Sequence, residues 1–185
     1  MDHGAQAYSR YLDGDDGGLA EIIRDYSTGL TVFLCSVTGD LAGAEEVMED
    51  VFFRLAAKKP KFKGKSSFKT WLYAIGRNAA LDYVRRRAKY AENPVEDYLN
   101  GAPSGENPER DLLQAETNRT LYACIGRLPP DYRQALTLSY FEELDNGQVA
   151  AVMKKNRRQV ENLLYRAKAA LKQELEKEGI GHEDL

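Results

Sequence analysis

Between Glu92 and Asp111 the chain reads ENPVEDYLNGAPSGENPERD, a run that collects Pro, Gly, Asn and acids and carries no apolar period. Such a segment has nothing to bury and too many turn formers to continue a helix, so it reads as a linker. The fold must therefore be solved twice, once on each side. The expected division is a first unit over residues 1–90, a linker over 91–111, a second unit over 112–178 and a tail over 179–185. At 185 residues with 43% hydrophobic composition, two small cores are affordable.

Both sides carry helical patterns and almost no strand signal. From Gly18 to about Thr38, the residues Leu19, Ile22, Ile23, Tyr26, Leu30, Phe33, Leu34 and Val37 recur at three- and four-residue spacing. Asp40 or Gly43 restarts the chain, and Val47, Val51, Phe52 and Leu55 share one side of a helix over Ala44–Ala57 that Pro60 ends. Lys61–Lys65 is a loop, after which Ser66 or Ser67 can cap a helix reaching about Lys89. Beyond the linker, Leu112 to about Gly126 is helical, and Pro130 suits the first turn of the helix that follows. Gln148–Lys154 is a short helix. Asn156 with Gln159 three residues later then resembles a capping box opening a longer one. The fold class expected is all-α: two small helical domains joined by an acidic flexible linker.

Charge is segregated along this frame. Asp40–Asp50 holds five acids and no base, whereas Val51–Tyr90 holds twelve Lys/Arg against the single acid Asp82. The linker side, Ala91–Asn118, is net −6, Lys154–Lys172 is net +6, and the tail from Gln173 is net −4. An overall charge of −3 therefore hides two basic surfaces separated by an acidic spacer. Phe, Trp and Tyr interleave with the cations of the first, the combination that a polyanion with stackable bases requires.

On the helix after the loop, Phe68, Leu72, Ile75 and Ala79 form a core stripe. Trp71, Ala74, Asn78, Asp82 and Arg85 form a second stripe beside it, mixing an indole, an amide and a guanidinium, groups that read or stack on bases. Trp71 and Tyr73 also fit as ordinary core aromatics, and both readings stand. In the second unit, Val160, Leu163, Leu164, Ala167 and Leu171 share one face, with Arg158, Glu161, Asn162, Tyr165 and Arg166 opposite. Two helices, a tight turn and a basic outer face describe a helix-turn-helix, with a packing hairpin as the bland alternative.

Several classes are excluded. No apolar stretch approaches a membrane span, and the N-terminal residues lack the pattern of a secretory signal, so a cytoplasmic protein is expected. Cys35 and Cys124 read as buried thiols. His3 and His182 fall in expected frayed ends, and no His/Cys metal set is expected. DGDDGG at Asp13–Gly18 hints at a calcium loop, but Arg24 stands at its twelfth position. GKSS at Gly64–Ser67 lacks the first glycine and preceding strand of a phosphate loop. No nucleophile–base pair suggests an enzyme, and no cofactor is expected.

AEEVMEDVFFRL (Ala44–Leu55) followed by KFKGKSSFKTWLYAIGRNAALDYVRRR (Lys61–Arg87) resembles region 2 of the sigma-70 family in its compact extracytoplasmic-function type. LPPDYRQALTLSYFEEL (Leu128–Leu144) with the helix-turn-helix to Leu171 resembles region 4, in the right order and at the right spacing. The resemblance implies a sigma factor that binds core RNA polymerase and gives it promoter specificity. Region 2 would dock on the clamp helices of the largest subunit and capture the −10 element. Region 4 would dock on the flap of the second-largest subunit and read the −35 element. The linker, with Glu92, Glu96 and Asp97, would thread toward the RNA path. An anti-sigma factor is a further partner that such factors have.

Matched to the family, Glu46, Glu49, Asp50, Phe53 and Arg54 fall on the polymerase-binding helix. Phe62, Lys63, Gly64, Ser66, Ser67 and Phe68 fall on the loop that takes a flipped base, with Phe62 and Phe68 as apolar walls. Trp71 and Asn78 fall on −10 reading positions, while Arg77, Arg85, Arg86 and Arg87 suit phosphates. Arg157, Arg158, Gln159, Glu161, Asn162, Tyr165 and Arg166 fall on the −35 face. The chain departs from the commoner pattern at Lys154, where a turn glycine is usual, at Lys155, where an apolar residue is usual, and at Glu161 and Leu163, where basic residues are frequent. Glu161 suits either a cytosine amino group or repulsion of phosphate. Competing functions are a helix-turn-helix regulator that acts without replacing sigma, and a polymerase-binding relative that no longer initiates.

Overall fold

A single carboxylate starts two helices. In the computed structural model, which describes residues 2–90 and 119–179, Asp2 Oδ1 accepts from the Ala5 N–H and Oδ2 from the Phe68 N–H, both at 2.8 Å. It thereby caps α1 (His3–Leu12) and, across 66 residues, α4 (Phe68–Tyr90). Each first turn leaves N–H groups without helical partners, and one side chain satisfies some of both. The Tyr8 hydroxyl donates to the Pro60 carbonyl at 2.7 Å and that of Tyr11 to the Ala56 carbonyl at 3.0 Å, so α1 also serves carbonyls at the far end of α3 (Leu41–Lys58). Burial, with the neighbouring Tyr11 adding to it, pushes the Tyr8 phenol up to about 12, so it stays a donor. Gly4 is required here: a Cβ would lie 2.5 Å from both the Phe68 ring and the Tyr26 hydroxyl. His3, expected in a frayed end, instead lies in α1, with Nε2 2.8 Å from Glu21 and 3.2 Å from Asp25.

The other boundaries have local causes. Helix α2 (Asp16–Thr38) is capped by Asp15 and closes at left-handed Gly39, whose N–H reaches the Cys35 carbonyl. Asp40, one of the two proposed restarts, caps α3 through the Gly43 N–H at 2.7 Å. Lys59 ends α3 in the left-handed region and sets its ammonium 4.5 Å from the Tyr11 ring centroid. Ser67, of the two candidate serines, caps α4: its Oγ accepts from the Thr70 N–H at 3.2 Å.

Residues 119–126 form α5, followed by α6 (Pro130–Leu136) with proline in its first turn. After Leu136, α6 passes into a π-helical turn, Thr137–Phe141, closed by Glu142 N–H to Thr137 O at 3.0 Å. Helix α7 (Asn146–Met153) begins two residues before Gln148, because Asp145 and Gln148 form a capping box. Lys154 then turns the chain with φ +54°, and the anticipated Asn156–Gln159 box opens α8 (Arg157–Lys177).

The described residues are all-α. One apolar cluster runs through them, from Ala5, Tyr8 and Phe33 by way of Leu72 and Leu138 to Val149 and Ala167. The helices on the two sides of the linker therefore pack together, α2 and α4 against α6, the π-turn and α7. The linker residues Glu92, Glu96 and Asp97, residues 112–118, and the tail with His182 lie outside the described residues. No described helix is long and apolar enough to cross a membrane. Cys35 is half-buried and Cys124 buried, neither joined in a disulfide, and burial pushes both thiols up.

Candidate functional site

The first surface is the outer face of α3. Val47, Val51, Phe52 and Leu55 face the core, which leaves Glu46, Glu49 and Phe53 outward. Phe53 is 69% exposed, a large ring on the surface, and Asp50 pairs with Arg54 at 2.6 Å beside it. The fold itself leaves the Phe53 ring uncovered, with the Asp50 and Glu49 carboxylates close by on the same helix.

The second surface is the loop over residues 61–67 with α4. Gly64 takes φ +66°, which turns the loop outward and leaves Lys61, Lys63, Lys65 and Ser66 exposed. Phe62 folds back onto Trp71, with ring centroids 5.2 Å apart, and onto Phe68 at 5.7 Å. Phe68 is fully buried between these rings, Tyr8 and Tyr26, so it supports the loop from beneath, whereas Phe62 and Trp71 are half-buried. The two readings of Trp71 thus merge: it is a core aromatic at the edge of an aromatic platform. Asn78 is exposed, as are Arg85 and Arg86, which line a shallow open pocket with Arg54, Asp82 and Lys89. Asp82 partly neutralises the pocket through Arg85 at 3.3 Å.

Arg77 stands apart from this array. It is only 8% exposed, its Nε donates to Gln134 Oε1 at 2.7 Å, and burial lowers its guanidinium pKa. Lys69 and Tyr73 precede it at four-residue spacing and also turn toward the second half of the chain, where both engage Glu142. Sequence reading missed this Lys69–Tyr73–Arg77 row. Its i, i+4, i+8 spacing was visible, but its partners are more than fifty residues away.

The third surface is the outer face of α8. Arg157, Arg158, Gln159, Glu161, Asn162 and Arg166 are exposed, and Tyr165 is 79% exposed. Gln159, Asn162 and Arg166 line a shallow groove with Tyr132 and Leu163. Glu161 accepts from Arg157 Nε at 3.1 Å, one turn away, so its charge is already partly balanced within the helix. Lys155 pairs with Asp131 at 2.9 Å and ties the turn to α6, a polar substitute for apolar packing at that position.

Comparison with known proteins follows the same division. Residues 22–90 match sigma-70 region 2 and residues 118–171 match sigma-70 region 4. The chain is 32% identical over 152 residues to the ECF RNA polymerase sigma factor SigM of Bacillus subtilis, covering 82% of this chain and 91% of that one. It is 29% identical over 179 residues to the RNA polymerase sigma-H factor of Pseudomonas aeruginosa, covering 92% and 93%. Among solved structures it shares its fold with the sigma factor RpoE bound to the anti-sigma factor NepR from Bartonella quintana. That match has TM-score 0.69 and 20% identity, over 85% of this chain and 96% of that one. CnrH in complex with the cytosolic domain of CnrY aligns with TM-score 0.64 and 21% identity, over 94% and 95%.

Proposed function

Since the chain belongs to the extracytoplasmic-function type of the sigma-70 family, and so binds core RNA polymerase and directs promoter-specific initiation, we propose how its three surfaces divide that work. Residues 1–90 and 112–178 act as the two working units. The face of α3 carrying Glu46, Glu49, Asp50, Phe53 and Arg54 docks on the clamp helices of the largest polymerase subunit, with Phe53 as the apolar anchor. Region 4 docks on the flap of the second-largest subunit.

The loop with Phe62, Lys63, Gly64, Ser66 and Ser67 receives a base flipped from the melting −10 element, over the platform that Phe68 and Trp71 support. Unstacking costs a few kcal/mol, which stacking on an aromatic offsets by ~1–3 kcal/mol per base. Asn78 reads a base edge through its amide, while Arg77, once uncovered, Arg85 and Arg86 hold phosphates. On α8, Arg157, Arg158, Gln159, Asn162, Tyr165 and Arg166 face the −35 duplex, and Glu161 acts first by holding Arg157. Bond formation belongs to the polymerase, in the cytoplasm, and an anti-sigma factor is a further partner, as for the RpoE relative in its solved complex.

Exposure is the observation that carries this division: Phe53, Asn78, Arg85, Arg86 and the α8 row all face solvent. A regulator that does not replace sigma is not favoured, because the family matches span both regions. Run-off transcription with purified core polymerase on genomic fragments tests the reading. Promoter-specific transcripts are expected; core binding without any such transcript would refute it.

A further inference from the structure

Glu142 is a carboxylate that is 8% exposed, and its side chain is held by two residues of α4, Tyr73 and Lys69. The Tyr73 hydroxyl donates to its Oε2 at 2.5 Å, and Lys69 Nζ lies 2.9 Å from the same oxygen and 2.8 Å from the Glu142 carbonyl. The backbone is shaped to deliver it. The π-turn ends at Glu142, and Glu143 takes φ +55°, an uncommon conformation outside glycine. Helix α2 makes room: a Cβ on Gly29 would lie 2.7 Å from the Tyr73 hydroxyl and 2.8 Å from each carboxylate oxygen. Arg77 to Gln134, and Gln148 Nε2 to Ser67 Oγ at 3.4 Å, extend the same seam. A buried charge adds little to stability beside an apolar contact of equal size, and its better attested use is to fix one arrangement among several.

That arrangement does not span a promoter. Gln148 touches Ser67, and nine extended residues reach at most ~32 Å, so Arg157 lies within that distance of Gln148. Asn78 is eleven helical residues, ~17 Å, from Ser67. With the span of the Gln148–Ser67 side-chain contact added, Asn78 and Arg157 lie within roughly 60 Å of each other. Elements centred near −10 and −35 are about 25 base pairs apart, or ~85 Å along the duplex at 3.4 Å per pair. The same seam also covers Arg77 and part of the Ser67 side chain.

We propose that Glu142, clasped by Tyr73 and Lys69, latches the C-terminal helices onto α4 and holds the free protein in a closed form that must open before both promoter elements are engaged. The functional part of this statement rests on the promoter reading above; the latch itself does not. Small-angle scattering of the full chain, without polymerase or DNA, tests it. Gly29→Ala drives a methyl into the latch while favouring the α2 helix, and Glu142→Ala removes the carboxylate. Wild type is expected near the radius of gyration of a compact chain, with both variants larger by about 5 Å or more at unchanged helical circular dichroism. Variants as compact as wild type, or a wild type already extended, would overturn the proposal. If Gly29→Ala loses its helical signal, Glu142→Ala alone decides. A failed run-off assay leaves this result unaffected, so the two readings fail separately.

Discussion

Helices α4 and α8 are similar in length, 23 and 21 residues, and both present basic residues in a chain that is acidic overall. They differ in what surrounds them. On α8 only one side is committed to the core, and the opposite face is open from Arg157 to Arg166. On α4 three sides are in use: Phe68, Leu72 and Ala79 pack inward, Lys69, Tyr73 and Arg77 engage the helices beyond the linker, and Asn78, Asp82, Arg85 and Arg86 are among the residues that face solvent. A substitution on the open face of α8 is therefore expected to change DNA binding alone. On α4 the same kind of substitution changes folding, closure or DNA binding according to its place on the wheel.

Phe68→Ala breaks the comparison most severely. It empties the centre of the aromatic cluster at a cost of ~3–5 kcal/mol, so polymerase binding and promoter opening should fall together, with a lowered thermal midpoint. Loss of promoter opening at normal stability would place Phe68 in the DNA site instead. Asp2→Ala removes a cap from two helices and should cost ~2 kcal/mol, whereas Asn156→Ala, at the capping box of α8, should cost ~1 kcal/mol. Urea melts rank the two, and equal losses would mean that the long-range cap on α4 contributes nothing. Asn78→Ala should lower open-complex formation roughly tenfold, the effect of losing one paired base contact, while polymerase binding stays intact. Equal losses in both assays would make Asn78 structural. Arg157→Ala should weaken −35 duplex binding a few-fold and flatten its salt slope by about 0.9; an unchanged slope would remove Arg157 from the phosphate contacts. The smallest change is expected from Lys154→Gly, which relieves a left-handed lysine and should stabilise the turn by up to ~1 kcal/mol, read as a higher thermal midpoint.

The parts legible in the sequence were those whose cause is local. The three- and four-residue spacing of Leu19 through Val37 gave α2, and Val160 through Leu171 gave the inner face of α8. Asn156 and Gln159 announced their capping box because both halves lie within four residues. Helix α1 gave no such signal: its buried residues are Gly4, Ala5, Ala7, Tyr8 and Tyr11, small or hydroxylated rather than aliphatic. The π-turn, the Asp2 bridge and the Glu142 clasp depend on partners 66 to 73 residues away or on one extra residue in a helical turn, neither of which periodicity records. For the site, residue types placed the open faces of α3 and α8, whereas the burial of Phe68 and Arg77 became visible only once the helices were packed.

The double cap at Asp2 sets the size of the piece that could be exchanged between related factors. The sigma-70 region 2 match begins at Ile22, inside α2, and a graft cut there would discard α1. The start of α4 would lose its carboxylate, the Pro60 and Ala56 carbonyls would lose the tyrosine hydroxyls, and Phe68 would lose the cover of Tyr8. A chimera built on the family boundary would thus carry α4 without the residues that seat it, and the transplantable unit includes Asp2 and α1.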